Sequence, residues 1–302
     1  MDKKILVTAA NGQLGSEIAE LASEFAEFDF TFLNRAILDL SDLEAVETYF
    51  THNRFDVIIN TAAYTAVDKA EEDTEAAKAI NTDAVKRLAE IAKEGKIQLI
   101  HISTDYVFDG KNYKPYIETD QTDPQGVYGQ TKLAGEEAIL SIDPANSAII
   151  RTSWLYSSYG SNFVKTMLHL GEERDELGVI FDQVGTPTYA KDLAWVILEN
   201  IQNSKLTKGN TLGCKIQNCA LYHYSNEGVC SWYDFAKTIF ELSNINCKVN
   251  AIETKEYPTP AKRPHYSVLN KVKIKNELGT SIPYWKDSLR ECLKKINNKD
   301  KE

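Results

Sequence analysis

The sequence of 302 residues has little of what marks secreted or membrane proteins. Its cysteines are few and scattered and form no CxxC pair, which favours free thiols over a disulfide framework. No apolar run approaches the roughly 18 residues that a membrane helix needs, and the first residues lead into a strand pattern rather than a signal peptide. We therefore expect a cytoplasmic protein without a membrane partner. The five cysteines are Cys214, Cys219, Cys230, Cys247 and Cys292.

Basic residues are also in short supply. The 34 lysines and arginines face 44 aspartates and glutamates, which gives a formal net charge of −10. This balance argues against nucleic acid or an anionic membrane as the main partner, although a local pocket for an anionic ligand stays possible. The hydrophobic content of 43% and the charged content of 26% are ordinary for a globular protein of one large or two modest domains.

The N-terminal segment has the pattern of a dinucleotide-binding unit. A short apolar strand at 5–8 is followed by the turn 9–15 and by a helix that extends to about Phe25. A glycine-rich turn at a helix N-terminus suits a pyrophosphate. Only Gly12 and Gly15 match the usual three glycines, and Ala9, the next smallest residue, replaces the first. An ordinary tight turn between strand and helix is the alternative interpretation.

Further β-rich runs at 28–33, 56–60, 98–103 and 147–151 alternate with helical segments. This alternation predicts an α/β fold with a doubly wound, parallel Rossmann-type sheet. Beyond Trp154 the pattern loosens, which indicates a smaller C-terminal substrate-binding lobe. We predict an NAD(P)-binding domain at 1–155, to which 181–222 returns, and a substrate-binding lobe at 156–180 and 223–302.

The centre of the sequence predicts a catalytic group. Tyr128 and Lys132 are four residues apart on a predicted helix, so they share a face, and Thr104 ends a predicted strand. A nearby ammonium favours the phenolate and lowers the pKa of a tyrosine. The arrangement suits the protonation of an oxygen while a hydride is transferred. The alternative is an exposed pair of side chains, and His101 is interpreted as a structural strand histidine.

The end of the second predicted strand bears on the choice of cofactor. Arg35 stands where dinucleotide-binding folds selective for NAD usually have a carboxylate, and a guanidinium there accommodates a 2′-phosphate. Asp39 could instead bind the ribose 2′-hydroxyl, or Arg35 could be a surface charge. The cofactor is expected to be NADPH or NADH, with NADPH used at least as well.

Several motifs, taken together, resemble the extended short-chain dehydrogenase/reductase family, and more narrowly its branch of dTDP-4-dehydrorhamnose reductases. The resemblance covers nearly the whole chain. Tyr-x-x-x-Lys marks only the superfamily, whereas its combination with RTSW and the late RP loop is much more specific. The motifs are AAYTAVDKAE (62–71), STDYVF (103–108), YGQTKLAGE (128–136), RTSW (151–154), NF (162–163), and RP (263–264) with LN (269–270).

The resemblance implies NAD(P)H-dependent reduction of the C4 ketone of dTDP-4-dehydro-L-rhamnose to dTDP-L-rhamnose, a precursor of cell-surface polysaccharide. Another reductase or epimerase of 4-keto nucleotide sugars, or a non-catalytic regulatory subunit, is the alternative. The implied catalytic residues are Thr104, Tyr128 and Lys132. The implied cofactor-binding residues are Gly12, Gln13, Leu14, Arg35, Asp39, Leu40, Ala62, Ala63, Tyr64, Thr65, Ile102, Tyr128 and Lys132. The implied substrate-binding residues are Thr104, Asp105, Tyr106, Trp154, Asn162, Phe163 and Arg263.

The resemblance also bears on metal binding. Some family members bind Mg²⁺ at a dimer interface through glutamates. Glu17 matches one such position, but Lys191 falls where another carboxylate would be, and a hard divalent cation requires oxygen ligands. We expect no metal, a dTDP-sugar as partner, and a monomer or a homodimer.

Overall fold

A computed structural model describes residues 2–205, 210–212 and 215–299 of the chain. Fourteen strands are formed in these residues. They are β1 (Lys3–Val7), β2 (Phe28–Phe32), β3 (Val57–Asn60), β4 (Gln98–Thr104), β5 (Ser147–Thr152), β6 (Leu155–Tyr156), β7 (Glu176–Ile180), β8 (Val184–Gly185), β9 (Thr188–Tyr189), β10 (Asn210–Leu212), β11 (Lys215–Gln217), β12 (Cys219–His223), β13 (Cys230–Ser231) and β14 (Lys248–Ile252).

Eleven α-helices lie between these strands in the described part of the chain. They are α1 (Gln13–Leu21), α2 (Leu43–His52), α3 (Val67–Ala70), α4 (Thr74–Lys78), α5 (Ala84–Gly95), α6 (Val127–Ile142), α7 (Phe163–Glu173), α8 (Ala190–Gln202), α9 (Trp232–Ser243), α10 (Val272–Leu278) and α11 (Trp285–Lys299). A π-helical turn, Ala79–Asp83, joins α4 to α5.

Six strands form a parallel sheet in the order β2-β1-β3-β4-β5-β12. The central strands are apolar on both faces, because helices cover both faces of a doubly wound sheet. One hydrophobic core lies between the sheet and α1 and α8, and the other lies between the sheet and α2 and α5. The predicted fold class is confirmed.

The order of the strands locates the crevice of the sheet. The chain leaves β2 at one edge and crosses β1 to form β3, so β1 lies between them. In open α/β sheets, ligands bind outside the carboxyl ends of the strands at such a reversal. The turn 9–15 follows β1, the segment 61–65 follows β3, and both therefore border one crevice.

A third hydrophobic core lies in the C-terminal half. It contains side chains of α7, α9 and α11, among them Met167, Phe235 and Leu289, beside the parallel pair β7 and β14. Residues Ile274 and Leu278 of α10 pack instead with the core of the sheet. The predicted division into domains stays a prediction.

Two smaller expectations concern cysteines and membrane helices. Four cysteines, Cys219, Cys230, Cys247 and Cys292, are buried free thiols, and Cys214 lies outside the described residues. Within the described ranges, no helix is both long enough and apolar enough to cross a membrane.

Candidate active site

The turn after β1 has the shape of a dinucleotide cradle. Ala9 adopts a φ of +49°, in the left-handed region that favours glycine, so the alanine there is strained rather than merely accommodated. A Cβ at Gly15 would approach the Ala9 carbonyl oxygen to 2.5 Å. Gly12, the N-cap of α1, has no side chain that could cap the helix, and the first turn contains no acidic residue. The helix N-terminus, which includes Gln13 and Leu14, therefore suits an anion such as a pyrophosphate.

The segment after β3 is held in place by buried amides. The Asn81 side chain accepts a hydrogen bond from the Tyr64 nitrogen (2.9 Å) and donates to the Tyr64 oxygen (3.2 Å) and to the Thr131 hydroxyl (3.2 Å). Asn81 thereby ties the segment that contains Ala62, Ala63, Tyr64 and Thr65 to α6. This segment borders the crevice where the resemblance places the cofactor.

The Thr104 and Tyr128 side chains lie together at the carboxyl end of β4. Thr104 is buried, and its hydroxyl donates to Asp105 Oδ1 (3.0 Å) and accepts from the Tyr106 nitrogen (3.2 Å). Tyr128 stands in the first turn of α6, with its ring edge-on to that of Tyr106 at a centroid distance of 5.4 Å. Burial raises the pKa of Tyr128 to about 12, a hydrogen bond with Thr104 lowers it, and the charge of Asp105 raises it.

Lys132 is fully enclosed between α6 and β4. Its Nζ donates to the Ile102 carbonyl oxygen at 2.6 Å and lies 3.1 Å from His101 Nε2. Burial lowers the pKa of Lys132 to about 8, while Glu136 raises it. The sequence predicted that Lys132 would lower the pKa of Tyr128. The structure differs: the ammonium faces the strand backbone, and burial dominates the pKa of the phenol.

Asp105 is a buried carboxyl beside these groups. The residue is 3% exposed, and its Oδ2 has no hydrogen-bond partner in the described part of the chain. Burial raises the pKa of Asp105 to about 7, although the Thr104 hydroxyl lowers it. A buried carboxylate oxygen that lacks a partner is costly, so a ligand hydroxyl would find an acceptor here.

Trp154 is held in a strained conformation at the edge of the lobe. Its φ is +48°, an uncommon value for a bulky residue. The indole stacks on Trp232 at a centroid distance of 3.6 Å, and the ring of Phe163 contacts Trp232 in a tilted arrangement at 4.6 Å. A Cβ at Gly185 would approach the Trp154 ring to 2.7 Å. The aromatic platform is therefore built from both the predicted residues and Trp232.

Two predicted substrate ligands already have partners within the chain. Arg263 forms two bonds to Asp68, at 3.0 Å and 2.7 Å. Asn162 caps α7 by accepting from the Lys165 nitrogen (3.2 Å) and donates to Gln13 Oε1 (3.0 Å). Arg263 thus anchors the loop of the RP motif (263–264) to α3, and Asn162 connects the lobe to the dinucleotide turn.

The expected nucleotide residues after β2 form an exposed group. The Arg35 side chain is 82% exposed, and its Nε donates to Asp39 Oδ2 at 3.0 Å. The pKa of Asp39 is lowered mainly by hydrogen bonds from Ser41, and also by Arg35. The neighbouring Leu40 is buried against the sheet. Asp39 therefore orients Arg35 at the mouth of the crevice.

Glu17, considered above as a metal ligand, is engaged by an ammonium. It is fully buried, accepts from Ser157 at 2.5 Å and forms an ion pair with Lys295 at 2.7 Å. Lys295 also pairs with Glu20 at 2.6 Å. The described residues contain no group of three or more histidine, cysteine or acidic side chains arranged to hold a metal ion.

Sequence reasoning missed several residues that organise this site. Asn60, Asn81, Asp68 and the buried ion pair of Glu136 with Arg151 (2.6 Å) hold the catalytic and cofactor segments. One signal was present, because His101 lies between apolar residues in the middle of the buried strand β4 and Asn60 ends the buried apolar strand β3. Their pairing in register between β3 and β4 becomes visible only in the sheet.

Comparisons with known proteins find similar sequences and structures over nearly the whole chain. Residues 3–298 match the family model of the RmlD substrate binding domain. A dTDP-4-dehydrorhamnose reductase of Aggregatibacter actinomycetemcomitans is 40% identical over 294 residues, which cover 95% of this chain and 97% of that protein. The crystal structure of a dTDP-4-dehydrorhamnose reductase from Clostridium acetobutylicum superimposes with a TM-score of 0.89 at 42% identity, covering 97% of this chain and 99% of that one. The Bacillus anthracis dTDP-4-dehydrorhamnose reductase in complex with NADP has a TM-score of 0.89 at 36% identity, covering 98% and 100% of the two chains.

Proposed function

The chain belongs to the RmlD substrate binding domain family, and we propose that it reduces the C4 ketone of dTDP-4-dehydro-L-rhamnose to dTDP-L-rhamnose. The reductant is NADPH or NADH. The observation that carries this proposal is the match, over nearly all of both chains, to dTDP-4-dehydrorhamnose reductases, one of them in complex with NADP. The juxtaposition of Thr104 and Tyr128 at the carboxyl end of a central strand supports it chemically.

We assign the cofactor to the crevice between β1 and β3. The N-terminal turn of α1, with Gly12, Gln13 and Leu14, would hold the pyrophosphate, and Arg35 would meet a 2′-phosphate. The segment 62–65 would border the nicotinamide half, near Ile102. When bound, the nicotinamide supplies the hydride that reduces the ketone carbon.

Residues of this chain would bind the keto oxygen of the substrate and protonate it. We assign Thr104 and Tyr128 to hold the keto oxygen by two hydroxyl groups, which fixes the position of the neighbouring carbon. Thr104 would do so by turning its single hydroxyl hydrogen from Asp105 Oδ1 to the keto oxygen. Tyr128 gives its phenolic proton to the oxygen as negative charge develops there, and proton donation of this kind contributes about 10²- to 10⁴-fold in rate. Lys132 occupies the same face of α6 and is assigned to the cofactor ribose.

The sugar nucleotide is assigned to the cleft between the sheet and the C-terminal lobe. The unpartnered oxygen of Asp105 would accept from a sugar hydroxyl, and Tyr106 and the Trp154 platform would pack against the sugar. Asn162, Phe163 and Arg263 would shape the cleft through their contacts within the chain. The monomeric or homodimeric state and the cytoplasmic location stay predictions.

A direct spectrophotometric assay with product identification tests the proposal. Purified protein is mixed with dTDP-4-dehydrorhamnose and either NADPH or NADH, the absorbance at 340 nm is followed, and the sugar product is identified by mass spectrometry and NMR. We expect stoichiometric oxidation of the cofactor and formation of dTDP-L-rhamnose. Turnover without net consumption of cofactor would identify an epimerase, and oxidation only with other 4-keto sugars would reassign the substrate. No turnover with any of them, together with recovery of a synthetase in pull-down, would indicate a regulatory subunit.

A further inference from the structure

The second half of the motif 62–71 contributes two carboxylates that hold other elements of the site. Asp68 lies in α3 and Glu71 is the C-cap of that helix, three residues further along, so the two side chains share a face of one turn. Each accepts hydrogen bonds from an element that is distant in sequence. Because α3 begins two residues after the segment 62–65, both carboxylates stand next to the cofactor crevice.

Asp68 holds the loop of the C-terminal lobe that contains Arg263, the lobe loop (257–264). Its Oδ1 accepts from the Ala261 backbone nitrogen at 3.1 Å and from Arg263 Nη1 at 3.0 Å, and its Oδ2 accepts from Nη2 at 2.7 Å. Hydrogen bonding to Arg263 lowers the pKa of Asp68, so the carboxylate is charged at neutral pH. Two parallel bonds from a guanidinium, together with a backbone bond, fix the orientation of the loop as well as its distance.

Glu71 holds the first turn of α6, which contains Tyr128. Its Oε1 accepts from the Val127 backbone nitrogen at 2.9 Å. Gly126, the N-cap of α6, has no side chain that could cap the helix, and the first turn contains no acidic residue. A Cβ at Gly126 would lie 2.6 Å from Glu71 Oε1, so this close approach requires glycine. Glu71 therefore supplies from α3 the N-terminal cap that α6 lacks.

The two elements that α3 holds also contact each other. Lys262 Nζ, in the lobe loop, donates to Gln125 Oε1 at 3.2 Å. Gln125 stands two residues before Val127, the first residue of α6. The lobe loop, α3 and the start of α6 therefore form a closed ring of contacts, in which a shift of one element strains its contacts with the other two.

This ring of contacts lies beside the assigned proton donor. The ring of Tyr106 packs edge-on against that of Tyr128, and burial is the main cause of the raised pKa of Tyr106. The charges of Arg263 and Asp68 also act on this pKa, in opposite directions, so the ion pair is within electrostatic range of Tyr106. The position of the lobe loop relative to Tyr128 thus depends on α3.

We propose that Asp68 and Glu71 are positioning residues, through which α3 sets the distance between the bound sugar and its proton donor. Asp68 holds the lobe loop at the cleft assigned to the sugar nucleotide, and Glu71 holds the turn that presents Tyr128. Neither carboxylate is assigned to the reacting atoms, so each acts through the element that it holds. This inference rests on the proposed function, because it takes Tyr128 as the proton donor and the cleft as the sugar site.

Steady-state kinetics of the intact chain with dTDP-4-dehydrorhamnose and NADPH separates the two roles. Glu71→Ala frees the Val127 N–H, and a misplacement of about 1 Å at a reacting group can cost about 10²-fold in rate. We expect kcat to fall at least about tenfold while KM for the sugar changes less than about twofold. Glu71→Gln keeps an oxygen acceptor and should restore kcat to within about threefold of wild type. Asp68→Ala should instead raise KM for the sugar at least about tenfold and change kcat less than about twofold.

Each carboxylate also has its own reporter amide, which is read without substrate. The Ala261 N–H is bonded to Asp68 and the Val127 N–H to Glu71, and their hydrogen exchange is followed by ¹H–¹⁵N NMR. In Asp68→Ala we expect exchange to accelerate at least about tenfold at Ala261 and at most about threefold at Val127, and the reverse in Glu71→Ala. Glu72→Ala, at the exposed carboxylate next along the chain, is the matched control and should change neither the amides nor the kinetics.

Three results would overturn the proposal. They are a Glu71→Gln variant as slow as Glu71→Ala, an Asp68→Ala variant that loses kcat with unchanged KM, and equal acceleration of both amides in either alanine variant. Asp68→Asn, which lacks the ion pair, and Glu71→Asp, which is one methylene shorter, replace an alanine variant that does not fold, with the same expected directions. If the wild-type protein reduces no sugar nucleotide, the proposed function is rejected, and the exchange pattern alone supports or overturns the separate holding of the two elements.

Discussion

Asp105 offers the sharpest test of the electrostatics of the site, because a buried carboxyl with a raised pKa makes stability depend on pH. The folded chain holds the proton of Asp105 up to about pH 7, whereas the unfolded chain loses it near the ordinary pKa of 3.8. The folded state therefore binds more protons between these values, and the free energy of unfolding falls as the pH rises through this window.

The size of the effect follows from the two pKa values. At pH 5 the solution is about two pH units below the folded-state pKa, and each unit corresponds to about 1.4 kcal/mol. Asp105 therefore contributes about 2 to 3 kcal/mol at pH 5 that is lost by pH 8.5. Asparagine does not titrate, and its oxygen can still accept from Thr104. Asp105→Asn should gain about 2 to 3 kcal/mol in stability, relative to the wild-type protein, between pH 5 and pH 8.5.

Urea unfolding at pH 5, 7 and 8.5, followed by tryptophan fluorescence, measures this difference. Burial lowers the pKa values of His101 and His223, so both histidines reduce the stability of the folded protein in acid. This loss occurs in wild type and in Asp105→Asn alike and cancels when their free energies of unfolding are compared. Asp287→Asn, at a carboxylate that is 66% exposed, controls for the loss of one negative charge. If wild type and Asp105→Asn differ by the same free energy at all three pH values, Asp105 does not carry the raised pKa and the reasoning fails.

Further predictions concern the reaction, the cofactor and the turn. Tyr128→Phe keeps the ring but removes the proton, so kcat should fall at least ~10²-fold with little change in cofactor Kd; near-normal turnover would remove Tyr128 from its role. Lys132→Met should weaken both turnover and cofactor binding, and an unchanged Kd measured by fluorescence titration would contradict the ribose contact. Arg35→Ala should raise KM for NADPH about fivefold to tenfold and leave NADH nearly unchanged, because only NADPH carries the 2′-phosphate; equal kcat/KM ratios in both proteins would make Arg35 a surface charge. Ala9→Gly should raise the free energy of unfolding by up to about 1 kcal/mol by relieving a left-handed alanine, whereas Ala10→Gly should lower it; the same sign for both in urea unfolding would refute the strain.

The sequence by itself determined the sheet and the identity of the main groups. Alternating apolar strands and helices predicted the parallel fold, because such runs can be buried only between two helical layers. The spacing of Tyr128 and Lys132 placed both side chains on one face of a helix, and the position of Thr104 at a strand end was equally local. These features depend on periodicities of a few residues, which a sequence shows directly.

The tertiary structure decided which partner each group meets. It paired Arg263 with Asp68, stacked Trp154 on Trp232, and placed Glu17 against Lys295 rather than in a carboxylate cluster. It also directed Lys132 toward His101 and Ile102, so the expected lowering of the pKa of Tyr128 was replaced by the effect of burial. The physical reason is that pKa values and proton positions depend on desolvation and on neighbours far apart in sequence, such as Asn60 and His101, which only the register of the sheet brings together.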